Sequence, residues 1–323
     1  MKKPFLFLLL SVLCLPCVGQ KAADESVVTR IDDKYPDVRI AINAPARMDK
    51  RKPTQVLFYA LPNGNTIEWT AGKKMYAGDD WHYDIQHIAA QTRFLREKGK
   101  KYNFVVVYLM AAGKSWGAWR SLHKEDKTQI LPAIVDDIMA LYADYRPSAV
   151  LSGHSGGGYF VFEYIRAVDT IPDRVKRIVF LDSTYGYEDS LHVKKLADWL
   201  GRSKKHYLCV TSYEDATVVI DGKHIVSASG GTWGRSFAME KGLGQYLPLK
   251  RTETGDFIYF NDPKKQVFFK LKKNPDGKIY HTVLVERNGF IDTVLEGTSQ
   301  SGKGYEFWGE RAYGEYIPEK ALQ

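Results

Sequence analysis

One stretch constrains this chain more than any other. Ala149-Val150-Leu151-Ser152 runs into Gly153-His154-Ser155-Gly156-Gly157-Gly158, and Tyr159-Phe160-Val161-Phe162 runs out of it. The apolar residues ahead of the glycines read as a buried strand, and the aromatic-rich residues after them as a helix. A Gly-x-Ser-x-Gly between strand and helix requires a turn so tight that the serine takes a strained backbone, while its glycine neighbours let adjacent segments approach. The Ser155 hydroxyl would then stand clear of the sheet edge, backed by free N–H groups and the positive end of the helix dipole. Three successive glycines also suit an ordinary loop or a phosphate cradle. The strand before and the helix after favour the elbow, with Ser155 as nucleophile.

The N-terminus carries Met1-Lys2-Lys3 and then the apolar run Pro4 to Leu13, too short to span a bilayer comfortably. It reads as a secretory signal over residues 1–20, which predicts a periplasmic or secreted protein without stable membrane insertion after cleavage. Lipid attachment at Cys17 is the alternative. Cleavage would remove Cys14 and Cys17 and leave Cys209, so no intramolecular disulfide is expected and stability must come from the core. With 44% apolar and 13% aromatic residues in 323, the chain can bury one large core, and residues 21–323 are read as a single domain. The formal charge of +8 is scattered among acids without a long basic run, which argues against nucleic acid as a partner.

Along the chain, Asp37 to Ile42 alternates in the manner of an antiparallel edge hairpin. Continuous apolar strands are expected at Gln55–Leu61, Asn103–Leu109, Arg177–Leu181 and Tyr207–Thr211. Helical periodicity falls at Asp84–Glu97, Ile130–Tyr142 and Leu191–Leu200. This alternation predicts an α/β fold: a mostly parallel central sheet flanked by helices, with an N-terminal antiparallel edge. Residues 216–255 read as an irregular lid or rim, and Lys264 to Leu284 as a hairpin turned at Asn274-Pro275-Asp276-Gly277.

The order of elements around Ser155, from about Gln55 to Thr298, resembles the α/β-hydrolase superfamily. The resemblance implies catalytic groups in the order serine, acid, histidine. His192, His206, His224 and His281 all follow the elbow, and His281 is the preferred base because it comes after the last strand-like segment. If Ile279 to Val285 were one strand, however, it would face the wrong end of the sheet. Asp215, a few residues beyond a buried strand, is the first choice of acid. Asp182, directly after the preceding strand, is the second, and Glu214 the third; for each the plain alternative is a carboxylate that caps a helix or turn. Gly156 is expected to give one oxyanion donor, and the loop Leu61 to Asn65, through Asn63 and Gly64, the other.

His82 and His87 are five apart, off a common helical face, and no third ligand stands near them, so no metal and no other cofactor is expected. His154, at the variable elbow position, is read as lining the substrate pocket together with Trp81, Trp116 and Trp233, flat rings that could stack on sugars. The resulting expectation is an exported serine hydrolase acting on a small-molecule or glycan ester. A peptidase or amidase of the same fold is one alternative. A catalytically silent glycan-binding relative is another, suggested by Asp292 standing where a histidine might have been.

Overall fold

A computed structural model describes residues 26–227 and 229–323. The signal-peptide reading and the candidate lipid site Cys17 lie outside these residues. Apolar runs buried on both sides become the strands β1 (Ser26–Tyr35), β2 (Val38–Pro45), β3 (Thr54–Ala60), β4 (Asn103–Ala111), β5 (Pro147–His154), β6 (Val175–Leu181) and β7 (Tyr207–Tyr213). A two-stranded ribbon follows, β8 (Val219–Ile220) with β9 (Lys223–His224), and then β10 (Lys250–Glu253), β11 (Phe257–Asn261) and β12 (Val267–Lys272). The ten long strands form one sheet in the order β1-β2-β4-β3-β5-β6-β7-β12-β11-β10. From β4 to β12 every neighbour is parallel. The hairpin β1–β2 joins β4 antiparallel at one edge, and β11 and β10 add antiparallel strands at the other.

Parallel strands need crossovers, and these supply the helices on both faces. One face carries α1 (Ile67–Ala71) and α2 (Ile88–Lys98). The other carries α3 (Trp116–Leu122), α4 (Lys127–Leu141), α5 (Gly158–Ala167), α6 (Asp189–Arg202) and α7 (Gly231–Leu243). After β12 come α8 (Val283–Glu286) and α9 (Gly289–Leu295), and α9 returns to the first face. The helix that leaves the elbow, α5, buries Phe160, Val161, Phe162 and Ile165, each worth roughly 1.5–3 kcal/mol, along with Tyr164. A helix apolar on nearly all sides belongs in the middle of a layer, and α5 packs against β5, α4 and α6. This packing holds the residues at its N-terminus still.

Two sequence expectations change. Residues 216–255 are not irregular throughout, because they contain α7. Its three glycines, Gly231 at the start and Gly234 and Gly242 inside, dilute the apolar periodicity that would have marked it. The C-terminal hairpin turns at 262–266 and not at Asn274. The Asp262 carboxylate accepts the N–H groups of Lys264 (3.1 Å), Gln266 (2.6 Å) and Val267 (2.8 Å), which closes the chain there. Asn274 closes a different loop: it takes the Lys278 N–H at 2.9 Å and donates to the Lys278 carbonyl at 2.7 Å. Lys278 to Thr282 is therefore a loop beyond the end of β12, and it carries His281. Among the described residues, no helix is long and apolar enough to cross a membrane.

Candidate active site

Strand β5 ends at His154, and Ser155 follows with φ +54°, in the left-handed region that a side chain other than glycine rarely enters. The surrounding glycines explain how the turn is tolerated. A Cβ on Gly157 would lie 2.1 Å from the Ala60 carbonyl oxygen, and one on Gly158 would lie 1.8 Å from that of Ser183. The elbow is thus wedged between the ends of β3 and β6, where only bare backbone fits. Its serine is partly exposed while the glycines around it are buried.

Asp182 directly follows β6 and is fully buried. Its backbone also lies at positive φ, +46°, and its N–H donates to the Thr211 carbonyl at 2.8 Å. One carboxylate oxygen, Oδ2, is hydrogen-bonded to Nδ1 of His281. The other, Oδ1, accepts the Thr232 hydroxyl. With Nδ1 committed to a carboxylate, His281 presents Nε2 as its free ring nitrogen, and a quarter of its side chain is open to solvent. The His154 ring lies 4.7 Å from that of His281 between centroids, and its Nε2–H donates to the His281 carbonyl at 3.0 Å. The imidazole of His281 therefore stands over the residue beside Ser155. No hydrogen bond joins Ser155 Oγ to His281 Nε2 among the described residues.

Asp215, the first choice of acid from sequence, does not touch His281. It sits in the turn after β7, where its Oδ2 accepts the Thr232 N–H at 2.8 Å and so caps the start of α7. A Cβ on Gly231 would lie 2.1 Å from that oxygen. Burial pushes the Asp215 carboxyl up to about 6, and the charge of Asp182 pushes the same way, against the pull of the Thr232 and Trp233 N–H groups. The Thr232 side chain thus stands between two buried carboxylates, 3.3 Å from Asp215 Oδ2. Glu214 accepts the Asn274 N–H at 3.1 Å and braces the loop that carries His281. Sequence reasoning missed Thr232 and Asn274, whose roles depend on contacts 50 and 60 residues away.

The other histidines hold local structure. His192 and His206 are buried, and His224 is exposed on the β8–β9 ribbon. His87 is buried and bonded to Asp84 at 2.7 Å. Asp292 lies buried in α9, where it is bonded to Lys270 Nζ at 2.6 Å and not to His281.

Of the two oxyanion candidates in the 61–65 loop, Gly64 is excluded as a donor because its N–H is spent on the Lys114 carbonyl at 2.9 Å. Asn63 remains. A Cβ on Gly156 would lie 2.2 Å from Asn63 Oδ1, so Asn63 covers the residue after Ser155. The Gly156 N–H is one of those a helix start leaves without an intrahelical partner.

Two residues read as lining the pocket do not. His154 is 1% exposed and lies behind His281; burial, with the His281 charge adding to it, holds its pKa well below the ordinary histidine value. Trp116 is 2% exposed, packs edge-on against Phe160 at 5.0 Å and donates Nε1–H to the Leu109 carbonyl, because the α3 start turns it into the core. Trp233 is half-buried against Phe237 in α7. Trp81 is 65% exposed. It stacks on His82 at 3.9 Å, His82 stacks on Trp69 at 4.4 Å, and Lys114 Nζ lies 4.6 Å over Trp69. Because Lys114 also receives the Gly64 N–H, this ring stack runs outward from the Asn63 loop.

The strand order, the left-handed serine between β5 and α5 and a histidine on the loop after the last parallel strand give this chain the α/β-hydrolase fold. No family model and no curated protein matches it. Among solved structures, a thermostable esterase aligns with a TM-score of 0.48 at 14% identity, over 85% of this chain and 64% of its own length. The feruloyl esterase module from Clostridium thermocellum, solved with sinapinate, aligns at 0.47 and 10% identity over 92% of this chain and 87% of that one. Oligopeptidase B from Leishmania major aligns at 0.44 and 12% identity, over 86% and 37% respectively. The chain thus spans about two thirds of the length of the first of these. Likeness at this level is one of chain course and not of activity.

Proposed function

We propose that this protein is a serine hydrolase of carboxylic esters, with Ser155 as nucleophile, His281 as base and Asp182 as the carboxylate that orients it. The observation that carries the reading is the hydrogen bond between His281 Nδ1 and the buried Asp182, beside a serine held at φ +54°. As substrate enters, Ser155 Oγ comes within reach of His281 Nε2, a contact that often tightens only in the complex. Oγ attacks the ester carbonyl carbon while its proton passes to Nε2. Asp182 stabilises the imidazolium and fixes the ring so that Nε2 is the proton acceptor. The oxyanion is held by the N–H of Gly156 and a donor of Asn63, each worth roughly 3 kcal/mol. Collapse of the tetrahedral state expels the alkoxide, which takes the proton from His281 and leaves an acyl group on Ser155. Water, deprotonated by the same imidazole, then releases the acid.

An ester borne by a sugar, met outside the cytoplasm, is the substrate class favoured by two features: the leader-like N-terminus and the exposed Trp81 at the end of a rigid stack of rings. A flat indole held against His82 offers a face to a sugar or aromatic acyl ring with little side-chain entropy left to lose. A panel of acetylated and aromatic-acylated sugars, p-nitrophenyl acetate and peptidyl reporters tests this. Trp81→Ala is expected to raise KM for the sugar and aromatic esters about tenfold, while kcat and the hydrolysis of p-nitrophenyl acetate stay unchanged. Turnover of peptides but not esters would make the protein an amidase.

A further inference from the structure

At the opposite end of the sheet, below the N-terminal ends of β3, β4, β5, β6 and β7, lies a cavity of about 620 Å3. Ser148 at its wall and Ser155, just past the end of β5, are seven residues apart, roughly 23 Å for an extended strand. This is therefore a separate place from the site above. Five cationic residues line it, Lys101, Arg146, Lys176, Arg177 and Lys205, and among the described residues no carboxylate side chain does.

None of these five makes an ion pair among the described residues. Arg177, at 3% exposure, forms the floor: it donates to the carbonyls of Thr293 (3.0 Å) and Glu296 (2.7 Å), and its guanidinium lies 4.5 Å over the Tyr207 ring. Lys176 Nζ is 3.5 Å from Nε2 of His206. The carboxyl of Asp173 is held below its ordinary range mainly by the hydrogen bond from Arg202 at 3.1 Å, with a smaller pull from Lys176. Lys101 and Lys205 are exposed at the rim. Gathering like charges that are not ion-paired is unfavourable by itself, and low-dielectric walls concentrate the resulting field.

The remaining lining narrows the class of anion. Tyr102 and Tyr207 present rings, and Gln55 Oε1 is buried with no hydrogen-bond partner. A ring-shaped ligand that carries both carboxylates and hydroxyls fits all three features: carboxylates for the lysines, a carbon-bound face for the tyrosines and a hydroxyl to donate to Gln55. The volume suits about two sugar units. We propose that this cavity is a second binding site, for an acidic polysaccharide chain built of uronic acid units, which docks the protein on polymer away from the elbow.

Calorimetric titration of the full chain with tetragalacturonate, with a neutral tetrasaccharide and with inorganic phosphate tests the proposal. Tetragalacturonate is expected to bind at least about tenfold more tightly than either control, and the affinity should weaken as salt is raised. Lys101→Glu with Lys205→Glu, at two exposed unpaired positions, should weaken binding about tenfold or more and leave hydrolysis of p-nitrophenyl acetate unchanged. Tyr102→Ala should weaken it without altering the salt dependence. Equal binding of the neutral sugar, phosphate binding as tight as the oligomer, or full affinity in the lysine double variant would each overturn the assignment. Loss of ester hydrolysis in Ser155→Ala bears on the elbow alone and leaves this result readable.

Discussion

Asp182→Asn is expected to lower kcat/KM for p-nitrophenyl acetate roughly 10^4-fold, whereas Asp215→Asn should lower it less than about tenfold. The two carboxylates lie on either side of Thr232, but only Asp182 reaches His281. An asparagine at 182 can offer its amide N–H to Nδ1, which puts the imidazole proton on Nε2 and would remove the base that the proposed mechanism requires. An asparagine at 215 still accepts the Thr232 N–H and keeps α7 capped. The same pair separates by stability. Burial and Asp182 raise the Asp215 carboxyl to about 6, above its unfolded value, so the folded state binds that proton more tightly. Its contribution to stability is complete below about pH 4 and is lost as pH rises through 6. Asp215→Asn should therefore be more stable than the parent at pH 7, by roughly 2 kcal/mol, with the difference fading at pH 4. Denaturant melts at the two pH values read this directly.

Gly158→Ala should damage both stability and activity, and Gly156→Ala activity alone. The added methyl at 158 meets the backbone oxygen of Ser183 at 1.8 Å, and backbone at the end of a central strand has nowhere to go. Ser183 adjoins Asp182, and its hydroxyl ties β6 to the Gly153 carbonyl at 2.9 Å. Separating α5 from β6 is expected to cost about 3 kcal/mol or more and to move the carboxylate that holds His281, at a further loss of roughly 10^2-fold in kcat. At 156 the atoms nearest the methyl belong to the side chain of Asn63, which can swing aside. Stability should then change by less than about 1 kcal/mol. The proposed oxyanion donor would be displaced, and kcat should fall roughly 10^2- to 10^3-fold. Thermal melts with steady-state kinetics on both variants distinguish the two outcomes.

These contrasts mark where the amino-acid sequence is legible and where it is not. The elbow, the parallel strands and the N-terminal hairpin are local patterns: doubly buried runs such as Val105-Val106-Val107, and glycines around a serine. They can be read without knowing what packs on them. The choice between Asp182 and Asp215 cannot, because it turns on Thr232, which arrives on a glycine-diluted helix with weak apolar spacing. His281 shows the same limit. Its loop depends on Asn274 bonding Lys278 at both N–H and carbonyl, and the identical residues read equally well as a hairpin turn. Trp116 and Trp81 are chemically alike in the sequence. One faces Phe160 in the core and the other solvent, a difference set by the direction in which α3 enters the molecule.

The most direct measurement is covalent labelling by a fluorophosphonate, read by intact mass and peptide mapping. One adduct per chain is expected, on Ser155, absent in Ser155→Ala and slowed at least about 10^3-fold in His281→Ala. Folded protein that takes no label, or Ser155→Ala that still takes it, would contradict the account.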